Sequence, residues 1–131
     1  MKKKILVIDD DEAMRWLIKK MLEKEYTVDV FSHVANALKH MNQYGHPDVI
    51  VTDIHLPVID GKDFLSNLKT NGLYSAIPVV VISSFKDEQT KSACLEAGAD
   101  DYIMKPFNPE KLIERINNII NNKRKENTLI R

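Results

Sequence analysis

Cysteine is nearly absent: a single residue, Cys94, stands in 131, so no internal disulfide can form and a disulfide-stapled framework is excluded. Net charge is absent as well. Lys plus Arg and Asp plus Glu each number 19, which leaves no electrostatic footprint for gripping phosphate backbones and argues against a nucleic-acid reader. No apolar run approaches the ~20 residues of a membrane-spanning helix. The opening Met1-Lys2-Lys3-Lys4 followed by Ile5-Leu6-Val7-Ile8 has the charge order of a signal peptide. Its apolar run ends after four residues at Asp9-Asp10-Asp11, too short for such a segment. The default expectation is a cytoplasmic protein without membrane partners. Internal repeats and low-complexity stretches are missing too. What remains is 44% hydrophobic and 29% charged, the composition of an ordinary globular chain, at a length that suits one domain with its own core.

Four short apolar runs punctuate the chain: Ile5–Ile8, Val49–Val51, Val79–Ile82 and Tyr102–Met104. They are continuous and rich in β-branched residues, as a strand covered on both faces requires. Thr27-Val28-Asp29-Val30-Phe31 alternates instead and reads as an edge strand with one wetter face. Between the runs lie helical patterns. Met14, Leu17, Ile18, Met21 and Leu22 form one stripe, with Trp16 beside it as a half-exposed packing residue. Leu112, Ile113, Ile116, Ile119 and Ile120 form another, after Asn108 as a cap and Pro109 at the first helical position. Ala37, Leu38, Met41 and Tyr44 suggest a helix opened by Ser32, and Phe64, Leu65 and Leu68 one that follows Gly61. A weaker stripe from Asp87 to Ala97 ends at Gly98, a suitable helix stop. Five strands alternating with five helices imply a parallel sheet covered on both faces by right-handed crossovers. The domain is expected over residues 1–122, and 123–131, with Lys123-Arg124-Lys125, as a fraying helix end and solvated polar tail.

Polar groups of particular kinds close the buried strands. The first ends in Asp9-Asp10-Asp11, the third in Asp53, the fourth in Ser83-Ser84 and the fifth in Lys105. In such a sheet, sites lie at the carboxyl ends of the strands, so these groups should gather in one cleft. Neighbouring carboxylates raise each other's pKa unless a cation intervenes. A hard divalent ion with oxygen ligands, Mg²⁺ before Ca²⁺, is the natural occupant. A carboxylate nucleophile with Lys and Ser as partners for phosphoryl oxygens fits phosphoryl transfer to an aspartate. Singly, each group has a plainer reading. Asp11 reads as a helix cap, and alone Asp53 would be a turn residue, Ser83 and Ser84 loop hydroxyls, and Lys105 a solvated lysine. Their joint occurrence at four strand ends carries the functional reading.

Over about residues 3 to 120 the chain resembles the receiver domain of bacterial response regulators of two-component signalling, most like the stand-alone chemotaxis regulators. The resemblance rests on Ile5-Leu6-Val7-Ile8-Asp9-Asp10-Asp11, on Asp48 through Pro57 with Asp60-Gly61, on Pro78 through Ser83, and on Gly98 through Phe107. It implies a flavodoxin-like, doubly wound (βα)5 fold with strand order 2-1-3-4-5. It also implies roles: Asp53 as phosphoacceptor and metal ligand, Asp10 binding Mg²⁺ directly, Asp9 largely through water, and the backbone carbonyl of His55 completing the metal site. Ser83 and Lys105 would each bind a phosphoryl oxygen, and Tyr102 would turn inward as Ser83 moves toward the phosphoryl group. The Lys105–Pro106 bond is expected to be cis, aiming the lysine into the cleft. The implied donor is a sensor histidine kinase or a histidine phosphotransfer protein. The implied output is a downstream protein met around Lys86–Ala97, Tyr102 and the last helix, by a monomer able to dimerise once phosphorylated. Such a switch is not an enzyme beyond its own phosphorylation and dephosphorylation.

Some positions depart from the family's commonest pattern. Ser84 stands where a smaller residue is usual and would narrow access to Asp53. His55 and Phe85 would tune attack by water on the acyl phosphate, and Leu56 in place of a frequent Met is of little consequence. His33, His40 and His46 lack metal-ligand spacing, and Cys94 reads as a small packing residue. Three rival readings stand beside this one. A phosphatase of the haloacid-dehalogenase type would need a second Asp where His55 stands, and a cap domain. A phosphorylation-independent binding module would not need all these groups. A longer regulator whose receiver half this is remains compatible with the polar tail.

Overall fold

The computed structural model describes residues 2–54, 61–84 and 88–130, with 61–62 and 123–130 as backbone alone. Strands and helices alternate: β1 Lys4–Ile8, α1 Glu12–Leu22, β2 Thr27–Phe31, α2 Val34–Tyr44, β3 Val49–Asp53, α3 Gly61–Thr70, β4 Val79–Ser83, α4 Glu88–Glu96, β5 Asp101–Met104 and α5 Pro109–Ile130. All four strand pairings are parallel, and the order is β2-β1-β3-β4-β5. This is the flavodoxin-like architecture expected from the sequence.

The continuous apolar runs divide their residues between two faces, because successive side chains of a strand point opposite ways. Leu6, Ile8, Ile50, Val79, Val81 and Tyr102 join the core half that also holds Val34, Ala37 and Met41 of α2, Phe64, Leu65 and Leu68 of α3, and Cys94 of α4. Ile5, Val7, Val49, Val51, Val80, Ile82 and Ile103 face the other way, onto Ile18 and Leu22 of α1 and Leu112, Ile116 and Ile120 of α5. Each face is therefore dry, at roughly 1.5–3 kcal/mol for each large side chain buried. β2 is the exception: Val28 is buried and Thr27 exposed, as its alternation foretold. Among the described residues no helix is long and apolar enough to cross a membrane.

Asp11 caps α1 through its Oδ1, which accepts from the amides of Ala13 at 2.9 Å and Met14 at 3.4 Å. Asn108 caps α5 in the same way, accepting from Glu110 N at 2.9 Å. Gly98, at φ 109°, ends α4 in the left-handed region that favours glycine.

Four expectations need correction. His33 rather than Ser32 is the cap residue of α2, without a side-chain cap bond, because Ser32 Oγ lies 2.8 Å from His33 Nδ1 instead. Tyr44 is 62% exposed, at the last residue of α2. Trp16 is 63% exposed and Leu17 38%: two residues beyond Met14 is about 200° around the helix, so Trp16 points away from the buried stripe. It stands under the Lys20 ammonium, 5.9 Å from the ring centroid. Lastly, α5 continues to Ile130, since nothing between Asn121 and Ile130 is a glycine or proline that would stop it.

Candidate functional site

The carboxyl edge of the sheet gathers the polar strand ends. Asp9 follows β1 directly and Lys105 follows β5, while Asp53 and Ser83 are the last residues of β3 and β4. Register fixes their neighbours: Asp53 pairs with Ile82 and Ser83 with Met104. One further ladder bond, from Lys105 N to the Ser83 carbonyl at 2.7 Å, carries the β4–β5 pairing one residue past Met104. The Lys105–Pro106 peptide is cis, as expected. The lysine reaches both carboxylates: Nζ lies 2.8 Å from Asp53 Oδ2 and 3.0 Å from Asp9 Oδ2.

Burial sets the electrostatics. Asp9 is 1% exposed, Asp53 7% and Ser83 0%, whereas Asp10 is exposed at the rim. Carboxylate oxygens of Asp9, Asp10 and Asp53 all lie within 4.8 Å of one another. Among the described residues, three formal negative charges thus face the ammonium of Lys105. Burial pushes the Asp9 carboxyl above its ordinary range. The Asp11 amide and Lys105 oppose this without cancelling it, and the Asp53 charge adds to it. For Lys105, burial favours the neutral amine, but the two carboxylates outweigh it and hold the ammonium above its ordinary range. The lysine is a fixed cation at neutral pH, and it leaves the cluster net negative. A hard cation with oxygen ligands fits that donor set, and Asp9, Asp10 and Asp53 could hold one.

A pH dependence follows. The folded state holds the Asp9 proton more tightly than the unfolded chain does. Its contribution to stability is present below the unfolded value of 3.8 and is lost as pH rises through the higher folded value. In EDTA, Asp9→Asn is therefore expected to gain in Tm relative to wild type as pH climbs from about 4 to 7. A constant Tm difference over that range would refute this reading of Asp9.

The sequence-derived residues fall into three groups. Asp9, Asp10, Asp53 and Lys105 come together in one cluster, and Ser83 closes the adjoining strand. Tyr102 lies one layer away, buried at 7% exposure among the core residues of the α2–α4 face. With Met104, Phe107, Lys91 and Arg115 it lines an open cleft of about 410 Å³ between α4, β5 and α5. His55, Leu56 and Phe85 lie outside the described residues, as do Lys86 and Asp87 at the start of the expected output face. One residue escaped the sequence reading altogether. Arg15, on the second turn of α1, donates from Nη1 to the Asp9 carbonyl at 2.8 Å. Nothing in the helical period marks it.

Comparison with known proteins agrees with this geometry. A family model described as the response regulator receiver domain matches residues 5–117. The chain is 37% identical over 121 residues to the alkaline phosphatase synthesis transcriptional regulatory protein PhoP of Bacillus subtilis strain 168, covering 92% of this chain and 49% of that protein. It is 31% identical over 120 residues to the sensor histidine kinase TmoS of Ectopseudomonas mendocina, covering 92% of this chain and 12% of that protein. The chain thus spans half or less of the length of these curated relatives. The CheY-like response regulator receiver domain protein from Methanospirillum hungatei JF-1 superposes with a TM-score of 0.87 at 29% identity, over 96% of this chain and 99% of that one.

Proposed function

The chain belongs to the response regulator receiver domain family of two-component signalling, and we propose that it is a switch thrown by phosphorylation of Asp53. The observation that carries this is the contact of one buried carboxylate, Asp53, with one fixed cation, Lys105, inside an acidic cluster. The donor is a phosphohistidine on a sensor histidine kinase or a histidine phosphotransfer protein. An Asp53 carboxylate oxygen forms a bond to phosphorus as the bond from phosphorus to the imidazole nitrogen breaks. The leaving nitrogen keeps the electron pair and takes up a proton from solvent. Lys105 and Ser83 each bind a phosphoryl oxygen, so charge developing there meets donors already in place. Asp9, Asp10 and Asp53, with the His55 carbonyl, would hold Mg²⁺, which would supply neutralisation of the negative charge that crowds the cluster.

The output follows from charge and packing. Phosphorylation adds roughly −1.5 to −2 charge beside Lys105. Ser83 is drawn toward the new acceptor, and the space it vacates sets how Tyr102 packs. The surface of α4, β5 and α5 then shifts between two states, and a partner protein binds the one that it fits. The receiver unit occupies residues 1–122, and 123–131, into which α5 runs as far as Ile130, serve as a polar tail. Intact mass after incubation with acetyl phosphate tests the reading: one added phosphoryl group with Mg²⁺ and none in EDTA. A folded, Mg²⁺-binding chain without adduct would instead make it a phosphorylation-independent binding module, with Ser84 the first residue to question.

A further inference from the structure

We infer that Arg15 is a positioning residue for the loop that carries Asp9 and Asp10, bracing it for a divalent cation through the Asp9 carbonyl. The inference rests on the reading that those carboxylates hold such an ion.

The β1–β3 ladder ends with Ile8 opposite Thr52, so the Asp9 carbonyl lies past the last register pair of that ladder. A backbone oxygen at this depth needs a donor, and the Arg15 guanidinium supplies it at 2.8 Å. The other polar groups of Asp9 are engaged too. Its amide donates to the Phe31 carbonyl at 3.0 Å. Its Oδ1 accepts from Asp11 N at 2.9 Å and its Oδ2 from Lys105 Nζ at 3.0 Å. Arg15 is itself set by helix α1: its amide donates to the Asp11 carbonyl at 3.0 Å, and the Asp11 side chain caps that helix. The turn Asp9-Asp10-Asp11 is therefore closed from both sides, by β2 through Phe31 and by α1 through Arg15. Exposed Asp10 is carried on a fixed backbone.

Two roles for the arginine predict opposite signs. As a mere positive charge beside three carboxylates, it would repel an incoming cation, and its removal would tighten metal binding. As a brace for the ligands, its removal would loosen them and weaken binding, in the way that outer partners of metal ligands do, typically 10–100-fold. The hydrogen bond to the carbonyl favours the brace. A single donor of similar reach should suffice for it, so lysine should substitute in part.

The test is a titration of the ¹⁵N-labelled full chain with MgCl₂, followed by amide shifts, which also report that each variant is folded. Arg15→Met is expected to bind Mg²⁺ about 10-fold more weakly than wild type, and Arg15→Lys to lie between the two. Arg15→Met binding as tightly as wild type or more tightly overturns the inference, and so does Arg15→Lys binding as weakly as Arg15→Met. A wild-type chain that shows no Mg²⁺-dependent shifts at Asp9–Asp11 would overturn the metal reading itself, and this inference with it.

Discussion

Asp53→Asn is expected to take up no phosphoryl group from acetyl phosphate and Mg²⁺, under conditions where wild type gains one. The side chains match in size, so the 7%-exposed position at the end of β3 keeps its packing. The amide lacks the charged oxygen that must attack phosphorus, and losing the nucleophile costs on the order of 10³-fold or more in rate. The same substitution should not harm the fold. It removes one of three carboxylates whose oxygens lie within 4.8 Å, and Lys105 keeps Asp9 as a partner at 3.0 Å. The Asp53 charge is among the causes that raise the Asp9 pKa, so its loss relieves Asp9. In EDTA, stability should therefore hold or rise. Inactivity with retained or greater stability is the mark of a group kept for chemistry at the fold's expense. An adduct of undiminished yield in Asp53→Asn would place the acceptor elsewhere. A variant that fails to fold would make Asp53 a structural residue.

Much of this was legible in the amino-acid sequence because the strands are buried on both faces. Ile5–Ile8 or Val79–Ile82 cannot be solvent-facing, and the residue that ends each such run must lie at the sheet edge. Asp9, Ser83 and Lys105 each adjoin an apolar run and Asp53 stands one residue past another, so one topological statement brings them together. Side-chain reach is a different matter. That Arg15 bends back to the Asp9 carbonyl depends on loop geometry rather than on period, and only the structure reveals it. Lys69 is similar: it spans from α3 to Asp100 at 3.1 Å and to the Ile77 carbonyl at 2.8 Å. Surface orientation was also hard to read. Trp16 read as a half-exposed packing residue and is 63% exposed, and Tyr44 sits on the edge of its stripe, its ring tilted against that of His40 with centroids 4.9 Å apart. The end of the apolar period at Ile120 reads as the start of a fraying helix end, whereas a helix needs only the absence of breakers to continue, and α5 runs to Ile130.

Lys105→Met is expected to behave in the opposite way to Asp53→Asn: it should lower stability, and Mg²⁺ should repair it. Methionine keeps much of the lysine's length and apolar stem, so the change chiefly removes the ammonium. Asp9 at 1% exposure and Asp53 at 7% then lose the cation that both contact. Breaking a buried pair by deleting one partner costs about 3 kcal/mol, near 10 °C in Tm for a domain of this size. A divalent ion bound by the remaining carboxylates stabilises in proportion to its occupancy of the folded state, and in this variant it also replaces the missing positive charge. The Tm gap to wild type, wide in EDTA, should therefore narrow with MgCl₂. It should also narrow as pH falls, because protonating Asp9 relieves the same repulsion. Phosphorylation should remain slow even with saturating Mg²⁺, by about 10²–10³-fold, since one donor to a phosphoryl oxygen is gone. Placing Lys105→Met on the Asp53→Asn background separates charge from packing. If the lysine acts through Asp53, the double change costs less than the sum of the single ones. A gap to wild type that is the same in EDTA, in MgCl₂ and on the Asp53→Asn background would mean that the lysine stem supports the fold by packing and that its charge does not.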